Sequence, residues 1–95
     1  MTRYACYILR CADQRYYVGA TANLGARLTT HHAGRVPATR HRRPVELVYF
    51  EGFTTATAAY ARERQLKNGR TRKATRERLI VGFPRESLAP FTRPG

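Results

Sequence analysis

Acidic side chains are scarce in this sequence. Its 95 residues include one aspartate and five glutamates, against 18 lysines and arginines. A two-metal phosphodiesterase needs a cluster of carboxylates that holds its ions about 4 Å apart, and six dispersed acids do not readily supply one. If the protein hydrolyses phosphodiesters, a single metal ion on a single carboxylate is the design that the composition favours.

Cysteines are few, and long apolar runs are absent. The only cysteines, Cys6 and Cys11, have an odd spacing that places them on opposite faces of one predicted strand. They cannot pair with each other, and no Cys/His spacing typical of a zinc site occurs. We expect free thiols and, because no transmembrane run or signal-peptide pattern is visible, a cytoplasmic protein.

The excess of basic residues gives a formal net charge of +12. Such a charge predicts an acidic polymer as the partner, with nucleic acid as the default candidate. A basic protein of the membrane surface would need an amphipathic apolar face or a lipidation signal, and neither is present. At this length the chain holds one domain with a small core.

Two runs of β-forming residues, Tyr4–Cys11 and Arg15–Ala20, flank a turn-forming segment and predict a hairpin. A three-residue loop places Tyr7 opposite Gly19 and puts Tyr7 and Tyr17 on one face. A two-residue loop moves Tyr17 to the other face. In the first register, the glycine leaves a gap beside two phenols, which suggests a site as well as a core.

A first helix is predicted between the capping residues 21–23 and Gly34. Leu24 and Leu28 belong to its apolar stripe, and Arg27 and His31 project together from the edge of the same face. The alternative for Arg27 is a buried stem with a solvated head, and the alternative for His31 is a structural histidine.

The segment 35–44 reads as a loop, and the run Val45–Glu51 reads as a strand that is central or covered by helices. The arginines of the loop either form a solvated charge run or contact phosphates, and we favour phosphate contact. The loop candidates for nucleic-acid binding are Arg35, Arg40, Arg42 and Arg43.

A second helix is predicted from Ala56 to Asn68, and Glu63 lies in the middle of its apolar stripe. A buried carboxylate needs a cation, a metal ion or dense hydrogen bonding. Lys67, one turn further on, is the structural partner that would satisfy it, and a metal is the functional one.

A basic third helix, Arg72–Val81, adds Arg72 and Lys73 to the phosphate-contact candidates, together with Lys67 from the second helix. A merely solvated basic face is the alternative. The segment 82–95, with three prolines and no periodicity, is expected to be an extended or disordered tail. The domain would therefore span residues 1–81.

The triplets Cys6-Tyr7-Ile8 and Tyr17-Val18-Gly19 resemble the signature of the GIY-YIG nuclease superfamily, and the chain is most similar to its small stand-alone, excision-repair incision-domain-like members. The resemblance runs from about Tyr4 to Ile80. It implies an α/β (α+β) fold, a three-stranded antiparallel sheet flanked by helices in the order β-β-α-β-α-α. It also implies a catalytic arginine at Arg27, a further catalytic role for His31, and a metal-binding catalytic glutamate at Glu63.

The implied activity is hydrolysis of DNA by one divalent ion, Mg²⁺ or Mn²⁺, with RNA as a possible substrate. Tyr7 would take a proton from the attacking water and Tyr17 would position the water or the phosphate. Nearby cations such as Arg27 are expected to lower the pKa of Tyr7 and to lie close to it. We expect a monomer with no membrane association and no small-molecule cofactor, and single-stranded or structured DNA in repair or processing is the candidate substrate.

Two departures from the superfamily pattern are visible. Cys6 stands where the first triplet has glycine, and Asn68 is the only candidate for a late phosphate-contacting asparagine, so its role stays open. The alternatives to a nuclease are a non-catalytic DNA- or RNA-binding module on the same scaffold and a ribosome-associated RNA-binding protein. Neither alternative requires a carboxylate on an apolar helix stripe.

Overall fold

The computed structural model describes residues 3–67 and 72–91, except for the side chain of Arg72. These ranges contain the strands β1 (Tyr4–Arg10), β2 (Tyr16–Thr21) and β3 (Glu46–Phe53), and the helices α1 (Leu24–His32), α2 (Ala56–Lys67) and α3 (Arg72–Val81). Two 3₁₀ helices, Arg40–Arg42 and Arg85–Phe91, complete the described part. The element order and the antiparallel sheet confirm the predicted α+β fold. Within the same residues no helix is both long and apolar enough to cross a bilayer.

The hairpin of β1 and β2 closes through the three-residue loop Ala12–Gln14. Gln14 has φ of 66°, the left-handed conformation that commonly ends such a loop. This loop length fixes the register with Tyr7 opposite Gly19, and it places Tyr17 on the same face as Tyr7. The three-residue alternative is therefore confirmed.

The sheet order is β2-β1-β3, so β3 is an edge strand. The sequence allowed β3 to be either a central strand or a strand covered by helices. It is not central, but neighbouring segments cover it. Phe83, just after α3, packs edge-on against Tyr49 and Phe50 with ring centroids 5.1 and 5.2 Å away. Both faces of this edge strand thus carry apolar side chains that are shielded from water.

The sheet divides the interior into two half-cores. On one face, α1 packs Leu24 and Leu28 against a set that includes Tyr7, Leu9, Cys11, Val45 and Leu47. On the other face, Leu66 of α2 packs against Cys6, Ile8, Val18, Val48 and Tyr49. The two cysteines are free, buried and on opposite faces, as the odd spacing predicted.

Side-chain caps fix where the helices begin. The Asn23 side chain accepts the Ala26 N–H at 3.0 Å, and Thr55 accepts the Ala58 N–H at 3.2 Å. Helix α1 ends just before Gly34, whose φ of 77° suits a residue without a Cβ. The predicted end of α2 at Asn68 lies outside the described residues.

The structure differs from the sequence-based expectation between Arg85 and Phe91. This segment, expected to be an extended or disordered tail, forms a 3₁₀ helix. Leu88 and Phe91 pack against the half-core on the α1 side, and Phe91 lies edge-on to Phe50 at 5.3 Å. The absence of periodicity was misleading here, because two apolar side chains are enough to hold a single short helix on a small core.

Candidate active site

The phenol of Tyr7 is the centre of the candidate site. Its residue lies on the central strand and is 0 % exposed, and the ring extends over Gly19 of the neighbouring strand. A Cβ added to Gly19 would lie 2.5 Å from Tyr7 Oη and 2.6 Å from its Cζ. The predicted gap is therefore real, and the phenol itself fills it.

A chain of two short hydrogen bonds links Tyr7 to the segment 35–44, which we call the arginine-rich loop. Tyr7 Oη lies 2.8 Å from Nε2 of the buried His31, and His31 Nδ1 lies 2.8 Å from Oγ1 of the buried Thr39. The guanidinium of Arg27 lies near the Tyr7 oxygen and partly offsets the rise in its pKa. In the His31 tautomer that carries its proton on Nδ1, Tyr7 Oη donates to Nε2 and Nδ1 donates to Thr39.

His31 is held in its neutral form. Burial, and then the charges of Arg27 and His32, lower the pKa of His31 to about 4. A neutral imidazole with an acceptor nitrogen facing Tyr7 can receive a proton from that hydroxyl. The arrangement thus provides a proton acceptor directly behind the phenol.

This depressed pKa predicts a pH dependence of stability. A histidine that titrates near 6.5 when unfolded and near 4 when folded binds its proton more readily in the unfolded chain. Its contribution is therefore present above pH 6.5 and is lost as the pH falls towards 4. We expect the free energy of unfolding to drop by about 2 kcal/mol from this group between pH 7 and 5. Urea denaturation at each pH measures the drop.

The matched variant for this measurement is His31→Gln, which retains hydrogen-bonding groups without the titration. Its overall stability is lower, but the slope of stability against pH between 7 and 5 should be shallower than in the unmodified protein. Equal slopes in the two proteins would contradict the assignment to His31.

Arg27 binds both phenols. It lies close to Tyr7 and Tyr17, and its interactions with the two phenols raise the pKa of its guanidinium. The ring centroid of Tyr17 lies 6.3 Å from that of Tyr7 and 5.1 Å from that of His31. Strands β1 and β2 and helix α1 therefore bring four of the five predicted catalytic side chains together.

The ionisation of Tyr7 differs from the sequence-based expectation. Burial raises its pKa to about 12, and the nearby guanidinium of Arg27 offsets only part of that effect. The predicted lowering of this pKa is wrong in sign, although Arg27 lies where it was expected. The reason is that sequence alone identifies the nearby cation but not how completely the phenol is buried. Tyr7 is a protonated phenol in the free protein.

Glu63, the fifth predicted residue, lies on α2. Its negative charge is close enough to contribute to the raised pKa of Tyr7, and its side chain is 20 % exposed. Its Oε2 accepts from Lys67 Nζ at 2.9 Å, and that ammonium also lies 5.8 Å from the ring centroid of Tyr17. The pairing with Lys67 is present, and it stands beside the phenols.

Glu63 suits a divalent ion that takes most of its ligands from water and substrate. Among the described residues no group of three or more His, Cys, Asp or Glu could hold a metal. Mg²⁺ commonly binds one or two carboxylates, several waters and substrate phosphate oxygens. The ammonium of Lys67 already marks a cation position on this carboxylate, so the residues present are compatible with one ion.

Removal of the Lys67 charge is predicted to strengthen metal binding. A divalent ion at Glu63 must displace an ammonium, and an exposed i,i+4 pair stabilises by about 0.3–1 kcal/mol. Lys67→Met should therefore tighten Mn²⁺ binding about two- to fivefold, as measured by electron paramagnetic resonance without substrate. Lys73→Met, with the same loss of charge on α3, should leave it unchanged. Equal affinities for both variants and the unmodified protein would rule out competition by Lys67.

The arginine-rich loop is partly tied to the protein itself. Arg42 Nε donates to Asp13 Oδ2 at 2.9 Å, and Arg43 donates to the carbonyl oxygens of Arg40 and His32 at 3.0 and 3.3 Å. Arg42 and Arg43 thus hold the loop against the hairpin turn and the end of α1. Arg35 and Arg40, like Lys73 of α3, are exposed, and the side chain of Arg72 lies outside the described part.

Thr39 was not identified from the sequence. It lies in a loop without periodicity, next to arginines, and it is completely buried behind His31. No local signal marks it, since a threonine in such a loop is ordinarily exposed. Only the folding of the loop over α1 places it there.

Comparisons with known proteins identify the family and the relatives of this chain. The family model described as the GIY-YIG catalytic domain matches residues 3–77. A UPF0213 protein of Natronomonas pharaonis is 43 % identical over 76 residues, which cover 79 % of this chain and 87 % of that protein. A UPF0213 protein of Streptococcus pyogenes serotype M5 is 45 % identical over 67 residues, 70 % of this chain and 73 % of that protein. The solution NMR structure of a UPF0213 protein from Bacillus halodurans matches with a TM-score of 0.54 at 28 % identity, covering 96 % of this chain and 98 % of that one.

Proposed function

This chain belongs to the GIY-YIG catalytic domain family, a family of nucleases, and from that premise we propose that it is an endonuclease that hydrolyses DNA phosphodiesters with the help of one divalent ion. The observation that carries the proposal is the cluster that Tyr7, Tyr17, Arg27 and His31 form beside Gly19, with the charge of Glu63 near enough to act on Tyr7. A protein that only binds nucleic acid has no need of this arrangement.

Tyr7 and His31 would activate the water. Because the phenol is protonated in the free protein, it cannot act as a preformed phenolate. As Tyr7 Oη takes a proton from the attacking water, its own proton passes to His31 Nε2, 2.8 Å away. The imidazolium that forms keeps its Nδ1 hydrogen bond to Thr39. The water oxygen then forms the new bond to phosphorus, and the bond to the leaving oxygen breaks.

Arg27 and Tyr17 would position and stabilise the phosphate. The guanidinium faces both phenols, so a phosphate that meets the attacking water is within its reach. Donors aimed at the charge that develops on the phosphate oxygens typically contribute 10²–10³-fold. Tyr17, half-buried beside them, presents its hydroxyl to the water or to a phosphate oxygen.

Glu63 would hold the divalent ion, Mg²⁺ or Mn²⁺, which acts as a Lewis acid on the phosphate and the leaving oxygen. The carboxylate is mostly shielded by its surroundings, which strengthens its attraction for a cation. Lys67 occupies this cation position in the structure, and a bound ion would displace it.

The substrate class follows from charge and size. A net charge of +12 favours a polyanion, and a single domain of this size offers little surface for reading sequence. We propose single-stranded or structured DNA, with RNA as the second substrate, acted on by a monomer. The catalytic unit would be residues 1–81, with the segment 82–91 covering its sheet.

A non-catalytic DNA- or RNA-binding module is the second candidate. The exposed arginines and the basic helix would serve it equally well. The buried Tyr7–His31–Thr39 chain argues against it, because burying polar groups is expensive and contributes nothing to surface binding.

The test is incubation of the purified protein with labelled single-stranded, duplex and flapped DNA, and with single-stranded RNA, in Mg²⁺, Mn²⁺ or EDTA. We expect cleavage with either ion and none in EDTA. Binding without cleavage under every ion would favour the module, and undiminished cleavage in EDTA would overturn the one-ion proposal.

A further inference from the structure

A second concave surface lies at the turn of the hairpin, away from Tyr7. We call it the turn pocket, a cavity of about 610 Å³ lined by Asp13, Gln14, Arg15, Tyr16, Arg42, Lys73 and Arg76. Four of the seven lining side chains are cationic and one is acidic. The cations come from three separate parts of the chain, namely the residue just before β2, the arginine-rich loop and α3.

The turn pocket is a built structure. Asp13 Oδ1 accepts the backbone N–H of Arg15 at 3.0 Å, and its Oδ2 accepts from Arg42 Nε at 2.9 Å. The Ala12 N–H also donates to the Arg42 carbonyl at 2.9 Å. These bonds fix the loop to the turn, and they engage the single acid of the lining in holding it together.

The charge balance of the turn pocket favours an anion. The lining carries four cations and one carboxylate, so its net charge is positive and attracts an anion. Guanidinium groups suit phosphate in particular, because their planar fork makes two parallel hydrogen bonds to its oxygens.

The distance from the candidate active site can be read along the hairpin. Gly19, under the phenol of Tyr7, is four residues from Arg15, which immediately precedes β2. At about 3.3 Å per residue this is about 13 Å. That corresponds to about four nucleotides at the duplex rise of about 3.4 Å, and fewer in an extended single strand.

We propose that the turn pocket binds a second phosphate of the strand that is being cut, a few nucleotides from the scissile one. The strand therefore has a minimum length for tight binding, and the pocket sets the direction in which it leaves the active site. The identity of the strand rests on the proposed function, whereas phosphate binding in the pocket does not depend on catalysis.

The test uses binding, in EDTA, of fluorescein-labelled oligothymidylates of 2 to 12 nucleotides, followed by fluorescence anisotropy over a series of salt concentrations. The pocket variant is Arg15→Ala/Lys73→Ala. The control, Arg78→Ala/Arg85→Ala, removes the same charge at two exposed positions outside both sites. Thermal unfolding of each variant is measured first, and Lys73→Ala alone replaces the double variant if that one is unfolded.

For the unmodified protein we expect affinity to rise steeply once the oligonucleotide reaches about three to five nucleotides. The pocket variant should show no such rise, bind the 12-mer about tenfold more weakly and bind the dinucleotide unchanged. Its slope of log affinity against log salt should become shallower by about 0.7 for each strand phosphate that the pocket no longer neutralises. The control should retain the rise. Competition by inorganic phosphate at constant ionic strength distinguishes a pocket that binds a free anion from one that binds a strand phosphate. A phosphate held within the 12-mer resists displacement by inorganic phosphate.

Equal weakening in the pocket variant and the control would overturn the proposal, because the effect would then be one of net charge. So would a length dependence that survives in the pocket variant, or a 12-mer that inorganic phosphate displaces as readily as a dinucleotide. A protein that never cleaves but shows the expected length dependence would remove the nuclease function and leave the turn pocket. DNA cleavage together with an unchanged length dependence in the pocket variant would remove the turn pocket and leave the nuclease function.

Discussion

Replacement of Glu63 by glutamine should abolish DNA cleavage while leaving DNA binding nearly unchanged. The substitution keeps the size of the side chain and removes the one carboxylate that stands beside the phenols. Metal stabilisation of the transition state is worth several kcal/mol. At about 1.4 kcal/mol per factor of ten, the single-turnover rate in Mg²⁺ should fall by at least about 10²–10³-fold.

The matched control is Glu77→Gln, which removes an equal charge from an exposed position on α3. It should cleave like the unmodified protein. Stability should change little in the Glu63 variant, because its pair with the half-exposed Lys67 is a weak one. Cleavage that persisted in Glu63→Gln at the original rate would show that this carboxylate holds no essential ion.

The second large effect is expected at Gly19. A methyl group there would lie 2.5 Å from Tyr7 Oη, where ordinary contact begins near 3.4 Å, so the hydroxyl must move by about 1 Å. Such a shift breaks the bond to His31 and costs on the order of 10²-fold in rate. Forcing a methyl group into this packed position should also lower the free energy of unfolding by about 1–3 kcal/mol. Cleavage assays and urea denaturation of Gly19→Ala measure the two effects.

Gly25 supplies the contrasting variant. It lies exposed in α1, and an added Cβ would meet nothing closer than 3.7 Å. Gly25→Ala should therefore raise the free energy of unfolding by about 0.5–1 kcal/mol, through helix propensity, and leave cleavage unchanged. If Gly19→Ala and Gly25→Ala had the same effects, the close approach of Tyr7 would not explain the glycine at position 19.

The elements that could be predicted from sequence are those set by short-range rules. Side-chain alternation and the length of the hairpin loop were enough to place Tyr7 opposite Gly19, because one register is fixed once the loop has three residues. Helical spacing likewise placed Arg27 and His31 on one face of α1. These relations depend on residues that are close in sequence, and so they could be read without coordinates.

What could not be predicted depends on contacts between distant segments. The partnership of His31 with Thr39 requires the loop to fold back over α1, and the raised pKa of Tyr7 requires knowledge of how many groups surround it. The 3₁₀ helix at Arg85–Phe91 is similar, since it is held by Leu88 and Phe91 against strands far away in the chain. The metal-binding and catalytic roles of the five site residues stay predictions until the variants are measured.

The two cysteines give the protein a built-in probe of its own unfolding. Cys6 and Cys11 are buried on opposite sides of the sheet, and burial raises the pKa of both thiols, that of Cys6 to about 12. Alkylating reagents attack thiolates, so each sulfur is protected until its own side of the sheet opens. Mass spectrometry of pulse-alkylated protein in rising denaturant can therefore time the opening of the α1 side and of the α2 side separately, without any introduced label.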